Sequence, residues 1–194
     1  MQHPYNVWGT LPSGSSSEIP PSIYGALPWD GSSSNAPSLY AFYFTTLNPS
    51  IIDCTVIGPN NEPQFYVTTN STMPGYTVLK AADGRSLGLI EWKNSSSQVE
   101  IRGAVPKQAT NDFLRLSHDH RYRIMRVGGR DYILTSDEDG IRMYLGGDMS
   151  SKMLAKVTRN PSSFKLEISS DAVQAGLLHS AVVAIVLLES GLRI

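Results

Sequence analysis

Between Ile101 and Arg130 the chain gathers the residue types best suited to chemistry. Arg102, Lys107, Arg115, Arg121, Arg123, Arg126 and Arg130 stand there against Asp112 and Asp119, a local excess of five positive charges in a chain whose formal net charge is -1. Arginine presents planar, always-charged donors that grip two oxygens of a phosphate or carboxylate at once. Charge segregated in this way makes an anion-binding face, with Arg102, Lys107, Arg115, Arg121, Arg123 and Arg126 as its residues. The competing reading is a solvated strand face laced with cross-strand ion pairs.

The same stretch holds Leu116-Ser117-His118-Asp119-His120, the one histidine-rich spot. On a strand, His118 and His120 would share a face and suit a metal with a third ligand from elsewhere. No third ligand is apparent in the sequence, and a polar hairpin loop is the simpler reading. His118, His120 and Tyr122 are also the first candidates for acid–base work, with Cys54 as nucleophile. Cys54 lies between Asp53 and Thr55 in a β-like run, where a small core residue is the plainer role. Asp137-Glu138-Asp139-Gly140 lacks the alternate carboxylates and distal Glu of a calcium loop and reads as a tight acidic turn. Neither a cofactor nor a resident metal is implied.

Composition narrows the classes further. A net charge of -1 argues against a dedicated nucleic-acid binder. A lone cysteine excludes an internal disulfide. The N-terminal MQHPYNVWGTLPSG has neither the basic nor the apolar region of a secretory signal, so the expectation is a cytoplasmic protein, with peripheral membrane contact if the basic face meets lipid. Oligomeric state leaves no mark in the sequence.

The elements that must position these residues follow from the hydrophobic pattern. Residues 1–37 are rich in Pro, Ser and Gly and predict a disordered or loosely docked tail in which Trp8, Tyr24 and Trp29 are the anchors. From Leu39 onward, short β-like runs alternate with turn signals. Asp83-Gly84 is the strongest hairpin signal, and Gly58-Pro59-Asn60-Asn61, Gly128-Gly129 and Asn160-Pro161 mark others. The pattern predicts about twelve strands, antiparallel because their connections are short. The run 171–190 follows, apolar on every side, with Asp171 as its expected N-cap. Such a helix is wrapped by protein or dissolved in lipid. It is short for a membrane span, which needs about 20 apolar residues. A buried role is the expectation, with Gln174 and His179 finding partners inside. The fold class is therefore mostly β, a closed antiparallel barrel around a hydrophobic C-terminal helix.

Tyr40-Ala41-Phe42, Gly88-Leu89-Ile90-Glu91-Trp92, Tyr122-Arg123, and Asp131-Tyr132 leading to Ile141-Arg142-Met143-Tyr144 give this domain a family likeness. With the terminal helix, they make residues 38–194 resemble the tubby-like superfamily, which includes the LURP-one-related proteins and the phospholipid scramblases. More narrowly, the chain resembles an uncharacterised group from mushroom-forming fungi. The resemblance implies a twelve-stranded barrel around a central helix and no transferable catalytic residues. It also implies action at membranes, since tubby domains bind phosphoinositide headgroups. The leading expectation is a non-enzymatic module for an anionic ligand or phospholipid headgroup. Its rivals are a small-molecule enzyme, of the kind found in secondary metabolism, with a site at the barrel mouth, and a protein-interaction or regulatory module.

Overall fold

The structure, a computed structural model, describes residues 38–69, 75–93, 96–147 and 152–192. The Pro/Ser/Gly-rich tail and its aromatic residues lie outside the described residues. Thirteen strands follow one another: β1 (Leu39–Thr45), β2 (Cys54–Ile57), β3 (Pro63–Thr69), β4 (Tyr76–Ala81), β5 (Ser86–Glu91), β6 (Gln98–Ile101), β7 (Val105–Ala109), β8 (Leu114–Leu116), β9 (Tyr122–Val127), β10 (Arg130–Asp137), β11 (Gly140–Leu145), β12 (Met153–Asn160) and β13 (Ser163–Ser169). A four-residue helix, α1 (Thr110–Phe113), joins β7 to β8. Two helices, α2 (Ser170–Gln174) and α3 (Leu178–Glu189), end the described chain.

All thirteen strands belong to one antiparallel sheet, in the order β7-β6-β5-β4-β3-β2-β1-β13-β12-β11-β10-β9-β8. Each strand pairs with its sequence neighbours, except where β1 meets β13 and where β7 and β8 are left as edges. Tyr40 opposite Ile168 and Phe42 opposite Leu166 zip the first strand to the last.

The expected closed ladder is not found: no strand pairing joins β7 to β8. The reason is visible in both edges. Pro106 gives β7 a position with no N–H to donate, and β8 is three residues long; both are marks of edge strands. At this seam α1 contacts β6, β7, β8 and β9 and buries Phe113 completely.

Alternation sets which residues face inward. Phe42 and Phe44, Phe65 and Val67, Met125 and Val127, Val157, and Leu166 and Ile168 are buried along one face. That face curls around α3. Ala181 and Ile185 meet Leu134, Met143, Val157 and Leu166 from β10–β13. On a different side of the helix, Val182, Val183 and Val186 meet Val67, Leu79 and Ile90 from β3–β5. Every residue from Ser180 to Leu187 is buried, so the apolar girdle seen in the sequence is matched by β-sheet. Close approach is helped by Gly88 on β5, where a Cβ would stand 3.2 Å from the Glu100 carbonyl and 3.5 Å from Val183. No helix among the described residues is long and apolar enough to cross a membrane.

Three details of the terminal segment differ from expectation. Its N-cap is Ser169, whose Oγ accepts from the Ala172 N–H at 3.2 Å, and Asp171 sits in the first turn paired with Lys152 at 2.8 Å. The helix is not continuous, because Gly176 at φ +75° breaks it between α2 and α3; only glycine adopts that backbone without cost. Gln174 is exposed at the end of α2 rather than buried among partners. His179 is half-buried and stands edge-on to the Phe65 ring, 5.5 Å between centroids, and burial lowers its pKa.

Candidate functional site

The histidine-rich spot is a turn, not a strand, so the alternation that would align His118 with His120 does not apply. Ser117 organises it. Its N–H donates to the Tyr122 carbonyl at 2.9 Å, its carbonyl accepts from the His120 N–H at 3.0 Å, and its hydroxyl donates to Asp119 Oδ1 at 2.7 Å. That hydrogen bond, with the nearby Arg121, holds the Asp119 carboxyl below the usual carboxylate range. The tight path forces His120 to φ +60°, left-handed backbone that an L-residue adopts at a cost. His118 points into solvent, while His120 and Arg121 border a concavity.

Strand parity places the next arginine. Met125 and Val127 of β9 face the core, and Arg123, two residues before Met125, shares their side at the strand's end. Its partner across the ladder is Leu134 of β10. The guanidinium is half-buried, and Nη1 donates to the Leu114 carbonyl at 2.9 Å. Among the described residues no carboxylate pairs with it, and burial alone lowers its pKa.

Around these groups lies a pocket of about 220 Å³ at one end of the curled sheet. Leu116, Leu134, Ile141 and Leu188 form an apolar wall, Leu188 coming from the last turn of α3. His120, Arg121, Tyr122, Arg123 and Ser136 form the polar rim. Arg121 is held loosely, 3.8 Å from Asp119 with its side chain 84% exposed.

Next to the pocket, Glu189 at the end of α3 would repel an anion if it were free. It is not: Arg159 donates from Nε to both of its carboxylate oxygens at 3.1 Å and from Nη2 to Oε1 at 2.8 Å. The same guanidinium donates to the Asp137 carbonyl and to Ser136 Oγ, so it pins the helix end to β10.

The rest of the basic stretch is dispersed. Arg115 and Arg126 face outward, in a second concavity of about 210 Å³ near the seam that they share with Gln108, Asp112, Ile124 and Asp131. There Arg126 binds Asp131 through two hydrogen bonds of 2.7 and 3.0 Å, which raises the arginine pKa and lowers that of the aspartate. Lys107 lies 3.0 Å from Glu91, which also takes Lys93 at 3.1 Å and the Tyr76 hydroxyl at 2.9 Å. Lys107, Lys93 and Tyr76 together push the Glu91 pKa down to about 2. Arg102 is exposed in the β6–β7 turn and Arg130 at the start of β10; neither forms an ion pair among the described residues.

Of the candidate catalytic groups, His120 and Tyr122 meet at the pocket and Cys54 does not. Cys54 opens β2, with β1, β13, β12, β11 and β10 between it and β9 in the ladder. It is buried, and burial reinforced by Asp53 pushes its thiol up to about 12, the opposite of what a nucleophile requires. In the acidic turn, Asp137 Oδ1 accepts from the N–H groups of Asp139 and Gly140, and Oδ2 pairs with Arg142. No group of three metal-ligating side chains gathers among the described residues.

Two parts of this site escaped the sequence reading. Leu116, Leu134, Ile141 and Leu188 carry no sequence mark beyond apolarity. The Arg159–Glu189 pair joins residues thirty positions apart. Its one trace is a carboxylate set directly after an apolar helix, which demands a cation nearby.

Comparison with family models gives no match for this sequence, and comparison with curated proteins gives none either. Among solved structures, the X-ray structure of the Arabidopsis thaliana protein AT5G01750 is similar at 14% identity and a TM-score of 0.47, over 76% of this chain and 90% of that one. That is a distant structural neighbour, and no function is carried across from it.

Proposed function

We propose that this protein is a non-enzymatic binding module for a small ligand bearing a phosphate or carboxylate, held at the mouth of the curled sheet by Arg123 and Arg121. One observation carries the reading: Arg123 is a half-buried cation with no carboxylate partner among the described residues, and it faces a concave space. A guanidinium partly stripped of water interacts with an anion more strongly than an exposed one does. Arg121 is poised to add a second, adaptable contact, and Arg159 neutralises Glu189, the residue after the wall residue Leu188.

The sequence resemblance to the tubby-like superfamily, and to its group from mushroom-forming fungi, supports the same reading. The ligand is then either free in the cytoplasm or displayed as a headgroup on an anionic membrane, to which the protein would bind peripherally.

The test is flotation with anionic and neutral liposomes at low and high salt, run beside calorimetric titration with inorganic phosphate. Binding to anionic vesicles or to phosphate, weakened by salt and lost in Arg121→Glu/Arg123→Glu, is the expected result. A double variant that binds both as the parent does sinks the proposal.

A further inference from the structure

We infer that the ligand of the mouth pocket is a compact amphiphilic anion: one phosphate or carboxylate attached to a short apolar body. This rests on the anion-binding reading and goes beyond it, because it comes from the wall of the pocket and not from its charges.

Three features define the class. The first is the character of the wall. Leu116, Leu134, Ile141 and Leu188 line the pocket with hydrocarbon, Leu116 and Leu134 as the cross-strand neighbours of Arg123. A polyol or other hydroxyl-rich headgroup seated there would lose hydrogen bonds to water and find no partners. An alkyl or aryl body would gain by leaving water.

The second feature is size. A space of about 220 Å³ holds the volume of about seven waters and lies below the ~300 Å³ at which pockets for drug-sized ligands begin. A six-carbon body fills it, and a two-chain lipid does not enter.

The third is polarity from end to end. Leu134 and Ile141 are at most 5% exposed and form the closed end, whereas Leu116 is 40% exposed and Arg121 is still more open, so both belong to the rim. An occupant therefore enters with its apolar end first and leaves its anion among Arg121 and Arg123.

Isothermal titration with three probes tests this: inorganic phosphate, hexyl phosphate and hexanol. Each methylene buried in the wall strengthens binding about fourfold. Hexyl phosphate is therefore expected to bind at least about tenfold tighter than either phosphate or hexanol. Leu116→Asn, a change at a solvent-exposed rim position, should weaken hexyl phosphate more than phosphate and so shrink the advantage of the alkyl chain. Arg123→Gln should weaken both anions.

Equal affinity for phosphate and hexyl phosphate, each dependent on Arg123, overturns this inference and leaves the anion-binding reading standing. Absence of binding, or binding indifferent to Arg123→Gln, overturns both. Because a two-chain lipid does not enter and the occupant leads with its apolar end, phosphatidic-acid vesicles should not displace hexyl phosphate; displacement by those vesicles overturns this inference.

Discussion

Arg123 and Arg126 stand three residues apart on one strand, carry the same charge and have different fates. Arg126 points outward and is clasped by Asp131 through two hydrogen bonds. Arg123 points inward at the end of the strand, gives one hydrogen bond to a carbonyl and meets no carboxylate among the described residues. A tally of charge along the chain counts them alike. Strand parity separates them: the period of two sends one to a solvated ion pair and the other to the rim of an apolar pocket. Charge density in a sequence thus points to a region, and the face on which each charge falls decides whether it remains free for a ligand.

The comparison can be strained most severely by placing a new charge on each face. Met125→Asp buries a carboxylate at a fully buried position and should cost about 4 kcal/mol in urea unfolding. Ile124→Asp, between Arg115 and Arg126 on the outer face, should stay within about 1 kcal/mol. Similar costs for the two would mean that the inner and outer faces have been assigned wrongly.

A second contrast concerns Glu91, the carboxylate that occupies Lys107. Its pKa is depressed from 4.5 to about 2, so its stabilising contribution is complete above 4.5 and disappears as the pH falls toward 2. The thermal midpoint should decline through that window. Glu91→Gln should start from a lower midpoint and lose part of the decline, and a variant whose acid limb matches the parent's would show that the cluster contributes nothing.

The turn that bears His120 offers a smaller effect. His120→Gly relieves a left-handed residue and should raise stability by about 1 kcal/mol. If the imidazole lines the anion site, affinity for phosphate should fall a fewfold in the same variant. A gain in stability with unchanged affinity would remove His120 from the rim.

The smallest expected change bears on the pair itself. Arg123→Met removes a partly desolvated cation and should raise the stability of the ligand-free protein by about 0.5 kcal/mol, a figure kept low by its partial exposure. Arg126→Met deprives Asp131 of its partner and should lower stability. Opposite signs in matched denaturant melts support the distinction, and equal signs refute it.

Much of this architecture was legible because local chemistry and global fold agree. Asp83-Gly84 does turn β4 into β5, Asn160-Pro161 does turn β12 into β13, and the apolar run after Asp171 does enter a curled sheet. What escaped depends on partners distant in the chain or on a single residue. β7 went unread because Pro106 interrupts its pattern, and the stretch from Thr110 to Leu116 is divided between α1 and β8. Gly176 splits the terminal helix although the apolar run continues past it. The basic stretch was visible as composition, but its division among Glu91, Asp131 and an inner arginine with no carboxylate partner among the described residues arises from pairings across strands, which a tally of charge along the chain does not contain.

The helix that fills the core is also the last described element of the chain, after all thirteen strands. During synthesis, therefore, the strands emerge before anything exists for their apolar face to enclose. The sheet can pair its neighbouring hairpins on the ribosome, yet Val67, Leu79, Met143 and Leu166 remain without their central partner until Ala181 to Val186 have been added. A nascent chain of this design is most vulnerable to aggregation, and most attractive to chaperones, after β13 has emerged and before α3 has. The same order acts as a check on synthesis: a chain stopped before Leu178 has all thirteen strands and lacks the helix that they enclose.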